Sequence, residues 1–587
     1  MNQLMQVVMK NRKYAPDYFD LINTEPHREP MHTDKLCEVL KKHHDEGNTV
    51  VLLTDFDTDG ISAGVLGFAG LAELGFRVVL FRPLVTEGYG FGEQTIRRIM
   101  EDYPDAKCLL TADTGISCLQ GVSYARSIGL DVLVTDHHLA QVEVDATVAV
   151  DPARKFDSSA FSGTCGACVL YQVLLFYAKR YGTAFQTAQI RRLCVFAGFG
   201  TVSDGMPVHY ENRRLILDCL EIMKMIYNDG DSSITSSILG TPQYQRAFYG
   251  LFMLLKGLEE HGNSTMRSRP LDIHEDFLAF YIAPMFNSIK RMDGRLEMAY
   301  DIFFGPDPAA SVKELIELNE QRKDLVAKYT ERLLEDMDPQ PWAPYIYLTE
   351  ASSGIRGLLA QSMLTEHGHP VMVVGLNPDG SYSGSGRCPE WYPFLDMAVS
   401  EYWVAEGHNP AFGISFDDEN GLDELVRFLE KSIPSVQPSE EEMQTVPDFT
   451  ISMLDDGDLP LDVELVMEYL DEQHVLRPFG AGFPEPEGVL RLQTSAVEFT
   501  FMGKEKQHVR MTLPMGIQVI LWNVADVLRP HLMYMPASTT DEGPMYPYYI
   551  SVDLPEILEL VGRWQYNNYN DNRSVQFIGH LLTDVAE

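Results

Sequence analysis

Three short apolar runs in the first 140 residues each end on aspartate, and this repetition constrains the fold more than any other feature. Thr49–Leu53 leads into Thr54-Asp55-Phe56-Asp57-Thr58-Asp59-Gly60, Cys108–Leu110 into Thr111-Ala112-Asp113-Thr114-Gly115, and Asp131–Val134 into Thr135-Asp136-His137-His138. Further β-branched runs lie at Val78–Phe81 and Thr147–Val150, and helical patterns such as Ile61–Leu74 and Gly92–Met100 fall between the runs. Strand–helix alternation at this spacing predicts a parallel sheet covered on both faces. Parallel strands bring their carboxyl ends to one edge, where α/β proteins bind ligands. That edge then collects up to five carboxylates and two imidazoles.

Carboxylates at such density repel and raise one another's pKa values, a conflict that a multivalent cation removes. Mixed Asp/His donors suit Mn²⁺ best and accept Mg²⁺, and they do not resemble a closed cysteine zinc site. Two ions about 3.5–4 Å apart, sharing an aspartate, would serve in-line phosphoryl transfer. One DxDG is a common turn and a lone Asp-His-His a common surface loop; their recurrence at three strand ends points to a metal centre. Cys165-Gly166-Ala167-Cys168 could be a redox pair or half a zinc site, but no second CxxC exists. Its small-residue setting predicts a turn entering a helix.

The 587 residues leave room for roughly three to four domains. Gln189 to about Leu278 is mostly helical in pattern, and Ser311–Met337 predicts one long helix of about 40 Å, ended by Pro339, Pro341 and Pro344. A second α/β block runs from Tyr345 to Glu430, with strands at Tyr345–Leu348, Val371–Val374 and Phe412–Phe416 and a glycine-rich loop at Gly380–Gly386. Ser432 to Leu476 contains no Lys or Arg and reads as a solvated acidic face or linker. The tail alternates at Val489–Leu492, Val509–Leu513, Val519–Trp522 and Val575–Ile578, as a small β-barrel would.

A net charge of −39 argues against non-specific adhesion to nucleic acid and by itself favours another partner. It leaves open an enzyme with a local basic groove or bound divalent metals. No run of about 18 apolar residues predicts a membrane span, and Met1–Asp17 lacks a signal-peptide core, so a cytoplasmic protein with no membrane partner is expected.

DFDTDG, ADTG and TDHH, in this order and spacing, resemble the first three motifs of the DHH phosphoesterase superfamily. Gly200-Thr201-Val202-Ser203-Asp204, followed by Pro207 and Glu211-Asn212-Arg213, is similar to the fourth. The resemblance implies metal ligands at Asp57, Asp59, Asp113, His137 and Asp204, with Asp113 bridging. It makes His138 a ligand or a contact to the scissile phosphate, and sets Asp55 and Asp136 behind the ligands, holding them or the histidine tautomer. Ile282–Met292, Leu318–Lys323, the segments around Gly354–Leu358, His369-Pro370-Val371, Gly384-Ser385-Gly386-Arg387 and Gly407-His408, and the edges of the tail barrel at Pro478–Pro486 and Asn572–Gln576 resemble RecJ exonucleases. The match implies substrate contacts from Asn287, Arg291, Ser385, Arg387 and His408, with GSGR as a phosphate-cradling loop. Lys504, Lys506, His508 and Arg510 beside Phe499 and Phe501 would suit single-stranded nucleic acid or a solvated hairpin. Three departures bear on end recognition, polarity and the choice of DNA or RNA: Arg82-Pro83-Leu84-Val85 lacks the usual Pro-Asn-Arg, Ile289-Lys290 replaces Ala-Gly, and Glu406 replaces a glycine.

The resemblance implies an α/β chain in four parts: a parallel-sheet DHH domain with a helical insertion over 1–305, a connecting helix over 306–338, a smaller α/β DHH-associated domain over 339–437, and an OB-like barrel over 438–587. The expected activity is 5′→3′ hydrolysis of single-stranded DNA to mononucleotides in repair and recombination. It would use two Mn²⁺ or Mg²⁺ ions in a monomer, with a single-strand-binding protein as a candidate partner. The alternatives are a phosphodiesterase for short oligoribonucleotides or cyclic dinucleotides, and a silent replisome scaffold.

Overall fold

The structure, a computed structural model, describes residues 2–14, 29–84, 90–140, 142–158, 161–230, 239–261, 271–292, 294–335, 340–438, 447–536, 538–540, 543–545, 547–567 and 573–582. The chain divides into two units, Met1–Thr24 with Gln444–Glu587, and Glu25–Met443. Helix α1 (Gln3–Asn11) thus belongs with the C-terminal residues, not with the catalytic domain that the sequence places it in. Val-, Leu- and Thr-rich runs form β1 (Thr49–Thr54), β2 (Arg77–Phe81), β3 (Ala106–Ala112), β4 (Asp131–Thr135) and β5 (Val148–Val150), all buried along most of their length except β2, where only Phe81 is fully buried. They pair in parallel in the order β2-β1-β3-β4-β5. The continuous apolar runs are what a sheet covered on both faces requires.

Helix α2 (Thr58–Glu73) crosses one face of this sheet. Its glycines at 60, 64, 67 and 70 let it sink into the core: a Cβ at 67 would strike Leu52 and Leu170, and one at 70 Leu174. Helices α3 (Glu93–Asp102) and α4 (Leu119–Ser127) cover the other face, where Ile96, Ile99 and Val122 pack on Val51, Leu109 and Val132. Behind α2 lie α5 (Gly166–Tyr181) and α6 (Cys194–Ser203), followed by α7 (Pro242–His261), α8 (Ala283–Arg291) and α9 (Glu297–Phe304). Cys165 caps α5, its Sγ accepting from the Cys168 N–H at 3.4 Å; both thiols are buried, as a structural turn requires.

The 27-residue α10 (Pro308–Leu334) leads to a second sheet in the same unit. It contains β6 (Ile346–Leu348), β7 (Val371–Leu376), β8 (Tyr382–Arg387), β9 (Val404–His408) and β10 (Ala411–Phe416), ordered β6-β7-β8-β10-β9. Helix α11 (Ser353–His367) packs Ile355, Leu359 and Met363 on one face. Helix α12 (Glu419–Val436) packs Leu422, Leu425 and Leu429 on the other. The GSGR segment is a strand and not the expected loop, because β8 pairs with β7 on one side and β10 on the other. Its glycines serve sheet packing: a Cβ at Gly384 would collide with the Val373 carbonyl, and one at Gly386 with the Phe412 ring.

In the C-terminal unit, Leu4, Met5, Val8 and Met9 of α1 are buried. Asn2 donates to Leu465 O and Glu468, and Arg12 makes a two-pronged bond to Asp448 at 2.6 and 2.8 Å. The acidic stretch expected as a face or linker is partly built into this unit, as β11 (Phe449–Ser452), β12 (Leu459–Pro460) and α13 (Val463–Glu472). The remaining strands of its main sheet are β13 (Gly488–Gln493), β14 (Glu498–Met502), β15 (His508–Thr512), β16 (Gln518–Leu521), β17 (Leu532–Met535), β18 (Tyr548–Ser551), β19 (Ile557–Asn567) and β20 (Ser574–Leu581). They run β12-β11-β13-β19-β20-β16-β15-β14-β18-β17, an OB-like sheet that does not close into a barrel. No helix among the described residues is long and apolar enough to cross a membrane.

Candidate metal centre

The parallel register brings the ends of β1, β3 and β4 level, with Thr54 beside Ala112 and Ala112 beside Thr135. Asp57 caps α2, its Oδ1 accepting from the Gly60 N–H at 3.0 Å. Asp59, at the start of the same helix, reaches the first turn of α5 and accepts from the N–H groups of Gly166 (2.7 Å) and Ala167 (3.1 Å). Asp113 follows β3 in a left-handed conformation, φ 59°. Gly166 lies against it so closely that a Cβ there would come within 2.6 Å of its Cα. Asp204 ends α6, which crosses at Gly200 where a side chain would run into the Asp59 carboxylate. Asn212 holds the segment after Asp204 by donating to Pro207 O (3.0 Å) and Gly163 O (2.6 Å).

Three sets of donors come together within 4.8 Å: Asp113, His137 and His138; Asp59, His137 and Asp204; and Asp55, Asp57 and Asp113. His137 Nε2 lies 3.1 Å from Asp113, 3.6 Å from Asp204 and 3.9 Å from Asp59. Asp113 belongs to two sets, the position a shared ligand would take. Asp136 sits behind, accepting from Ile116 N–H (2.9 Å), His137 N–H (2.8 Å) and His138 Nδ1 (2.7 Å), which leaves His138 Nε2 toward the cluster. Asp55, expected beside Asp136 in that supporting role, instead stands with Asp57 and Asp113.

The electrostatics are those of a crowded acidic pocket. Burial, then Asp59, Asp57, Asp55 and Asp136, push the Asp113 carboxyl well above its ordinary range. Burial and Asp57 push Asp55 up to about 7, and burial with Asp59 and Asp57 pushes Asp204 up to about 8. Burial also raises Asp59. Burial works on Asp136 as well, yet the His138 bond and charge and its backbone donors outweigh it and leave Asp136 low. The His138 ring is pushed up to about 9, the Asp136 bond overcoming burial. Both Asp113 oxygens and Asp55 Oδ1 are buried without a hydrogen-bond partner among the described residues. Buried anionic oxygens without donors are costly, and oxygen-rich donors with an imidazole fit Mn²⁺ or Mg²⁺. The residues present therefore fit a divalent ion.

The remaining candidates divide. Asn287 spends its side-chain oxygen on the start of α2, accepting from Thr58 N–H (3.0 Å) and Thr58 Oγ1 (2.9 Å). Arg291, at the end of α8, is pushed down to about 10 by burial and then by Arg322 and Arg387, with Asp57 acting the other way. None of these three arginines has a carboxylate at ion-pair distance among the described residues; Arg322 donates to Asn319 Oδ1 at 3.0 Å and Arg387 to Gly386 O at 2.8 Å. Gly354 and Gly357, in the first turns of α11, give Arg291 and Arg387 room to approach. The Ser385 hydroxyl faces the same helix; a Cβ at Gly357 would lie 3.5 Å from it. The GSGR amides are not free to form the expected cradle, because β8 is paired on both sides. His408 stands exposed on β9 with no described bond to either cluster. The Val85–Tyr89 loop lies outside the described residues.

In the C-terminal unit, Phe499 is buried in the core and offers no binding surface. Phe501, Tyr549 and Tyr534 instead step outward across β14, β18 and β17, with rings 4.8 and 5.3 Å apart, and Arg529 lies over Phe501 at 4.6 Å. Sequence reading missed Tyr534, Tyr549, Arg529 and Arg322. For Arg322 a signal existed: a guanidinium on the apolar stripe of α10, in step with Leu315 and Leu325.

Comparison with known proteins agrees with this layout. The DHH family, N-terminal domain matches residues 49–197, and the RecJ OB domain matches residues 456–579. The single-stranded-DNA-specific exonuclease RecJ of Bacillus subtilis is 24% identical over 81% of this chain and 56% of its own length. Its counterpart from Escherichia coli is 25% identical over 78% of each chain. The crystal structure of RecJ in complex with Mn²⁺ from Thermus thermophilus shares the fold, with a TM-score of 0.66 and 20% identity, covering 99% of this chain and 75% of that one.

Proposed function

We propose that this chain is a RecJ-type DHH phosphoesterase, a metal-dependent exonuclease on single-stranded DNA, a reading supported by its matches to the DHH and RecJ OB domains and to RecJ relatives. The observation that carries the reading is Asp113: a carboxylate shared by two donor sets, buried, with both oxygens lacking donors. Asp57, Asp59, Asp113, His137 and Asp204 would hold two Mn²⁺ or Mg²⁺ ions, with Asp55 and His138 close enough to join. Bound ions would supply Lewis-acid stabilisation of the phosphoryl group and a lowered pKa for water. Asp136 fixes the His138 ring, whose Nε2 would either join the ions or donate a hydrogen bond to the scissile phosphate. Asn287 keeps Asp57 and Asp59 in place by anchoring the start of α2. Arg291, Arg322 and Arg387, drawn together without carboxylate partners among the described residues, bind the strand's phosphates, and Ser385 adds a hydroxyl. This local positive field answers the −39 net charge of the chain.

The RecJ resemblance supports 5′→3′ digestion, and the arginine cluster suits the terminal phosphate of the strand's leading end. Oligonucleotides of single-stranded DNA, single-stranded RNA and duplex DNA, labelled at either end, test it with Mn²⁺ or with EDTA. Release of a labelled mononucleotide from the 5′ end of single-stranded DNA, abolished by EDTA, is the expected result. Digestion from the 3′ end would overturn the polarity, faster RNA hydrolysis would favour the oligoribonucleotide reading, and metal-independent binding without hydrolysis would favour a scaffold.

The aromatic steps of the C-terminal unit suit base stacking, which is worth about 1–3 kcal/mol per base. Tyr534→Ala is expected to weaken binding of a strand of about 20 nucleotides by at least about fivefold, while hydrolysis of a dinucleotide stays unchanged. Equal loss on both substrates would place Tyr534 outside a strand-binding role.

A further inference from the structure

The parallel sheet ends on β2, which pairs with β1 on one side only. Val78, Val79 and Leu80 make no other backbone hydrogen bond among the described residues. A groove of about 460 Å³ is lined by all three in succession. Successive side chains of a strand point to opposite faces. A groove that meets three in a row therefore runs along the strand's open edge, not over one face of the sheet. Phe68 and Phe304, edge to face at 5.0 Å, form its apolar wall.

The charged lining of this groove is arginine alone, in a chain of net charge −39. Arg246, exposed on α7, donates to Phe304 O at 3.1 Å and has no carboxylate partner among the described residues. Arg82, just past β2, lies 3.7 Å from Asp301 and over the Tyr300 ring. An open strand edge is a template for another chain, and proteins commonly blunt one with proline, a bulge or a covering element. Among the described residues β2 has none of these; it is bordered by an apolar wall and two guanidinium groups.

We propose that this groove docks an extended acidic peptide of another protein, which adds to the sheet as a further strand beside β2. Backbone bonds to the β2 edge would give affinity, alternate apolar side chains would fill the space beside Phe68 and Phe304, and carboxylates would meet Arg246 and Arg82. This reading does not depend on the nuclease assignment, because the groove uses none of the metal-binding or phosphate-binding residues.

The test uses the full chain and a fluorescein-labelled peptide of about eight residues that alternates glutamate with valine and phenylalanine. Anisotropy is expected to show saturable, salt-sensitive binding, weakened at least about tenfold by Arg246→Glu. The same peptide N-methylated at alternate residues, which removes its donors, is expected to lose binding by a similar factor on the unaltered protein, so the outcome does not depend on how the variant folds. Amide exchange at Val78–Leu80 should slow when the peptide is bound. No binding, or binding indifferent to both changes, would overturn the proposal. Displacement of the peptide by single-stranded DNA would also overturn it, by giving the groove to nucleic acid.

Discussion

Asp113→Asn is expected to abolish hydrolysis and, in the same molecule, to raise the melting temperature of the metal-free protein. Asn keeps the shape and tolerates the left-handed backbone that Asp113 adopts, so the effect isolates charge. Without metal, Asp113 is a buried carboxylate with no donor on either oxygen, among Asp59, Asp57 and Asp55. Replacing it by a neutral amide that can donate to those neighbours should stabilise the metal-free fold by roughly 1–3 kcal/mol. The same change removes the carboxylate shared by two of the three donor sets, and activity should fall by more than about 10³-fold, beyond the roughly 10–100-fold that outer residues cost. Thermal melts in EDTA and hydrolysis rates in Mn²⁺ read the two effects separately. A variant that melts lower than the parent in EDTA, or that turns over normally, would contradict the assignment.

The second large effect concerns pH. Asp55 and Asp204 have folded pKa values of about 7 and about 8 against an ordinary 3.8, and Asp59 and Asp113 are also raised. A carboxyl whose pKa is higher in the folded state binds more protons folded than unfolded. Its contribution therefore favours the fold below about pH 4 and is progressively lost as pH rises through the folded values. The cluster should destabilise the metal-free protein increasingly from about pH 4 to about pH 8, with no recovery above that. Mn²⁺ binds the deprotonated groups and reverses the trend. The gain in melting temperature on adding Mn²⁺ should accordingly grow from about pH 5 to about pH 8, approaching about 4 kcal/mol of stabilisation when free ion exceeds its dissociation constant about a thousandfold. A gain independent of pH would mean that these carboxyls do not bind the ion.

The metal cluster was legible because its signal is local. Each aspartate follows its own strand by a few residues, and a parallel sheet makes strand ends coincide, so Asp57, Asp113 and His137 could be expected together before any coordinates. Asp204 is different in kind: it ends a helix, and only the motif resemblance singled it out. What stayed hidden depends on contacts between distant segments. Nothing near Gly166 announces that Asp113 will lie against it, and nothing near Gly357 announces Arg387. The GSGR segment misleads because glycine suits both a phosphate loop and a crowded strand; only the pairing of β8 on both sides decides. Phe499 and Phe501 look alike in sequence, and strand parity alone does not separate them. One is sealed in the core, while the other, nearer the strand end, meets Tyr549 and Arg529.

The seating of α1 against β11 and α13 bears on how the chain is made. Residues 2–14 pack on groups such as Asp448 and Leu465, which are translated more than 400 positions after them. The aspartate sheet can fold as soon as its own segment has emerged, since domains form as units during synthesis. Helix α1 must wait, apolar face unsatisfied, until the acidic segment arrives, so a nascent chain halted near residue 443 would carry a finished aspartate cluster and an unfinished C-terminal sheet.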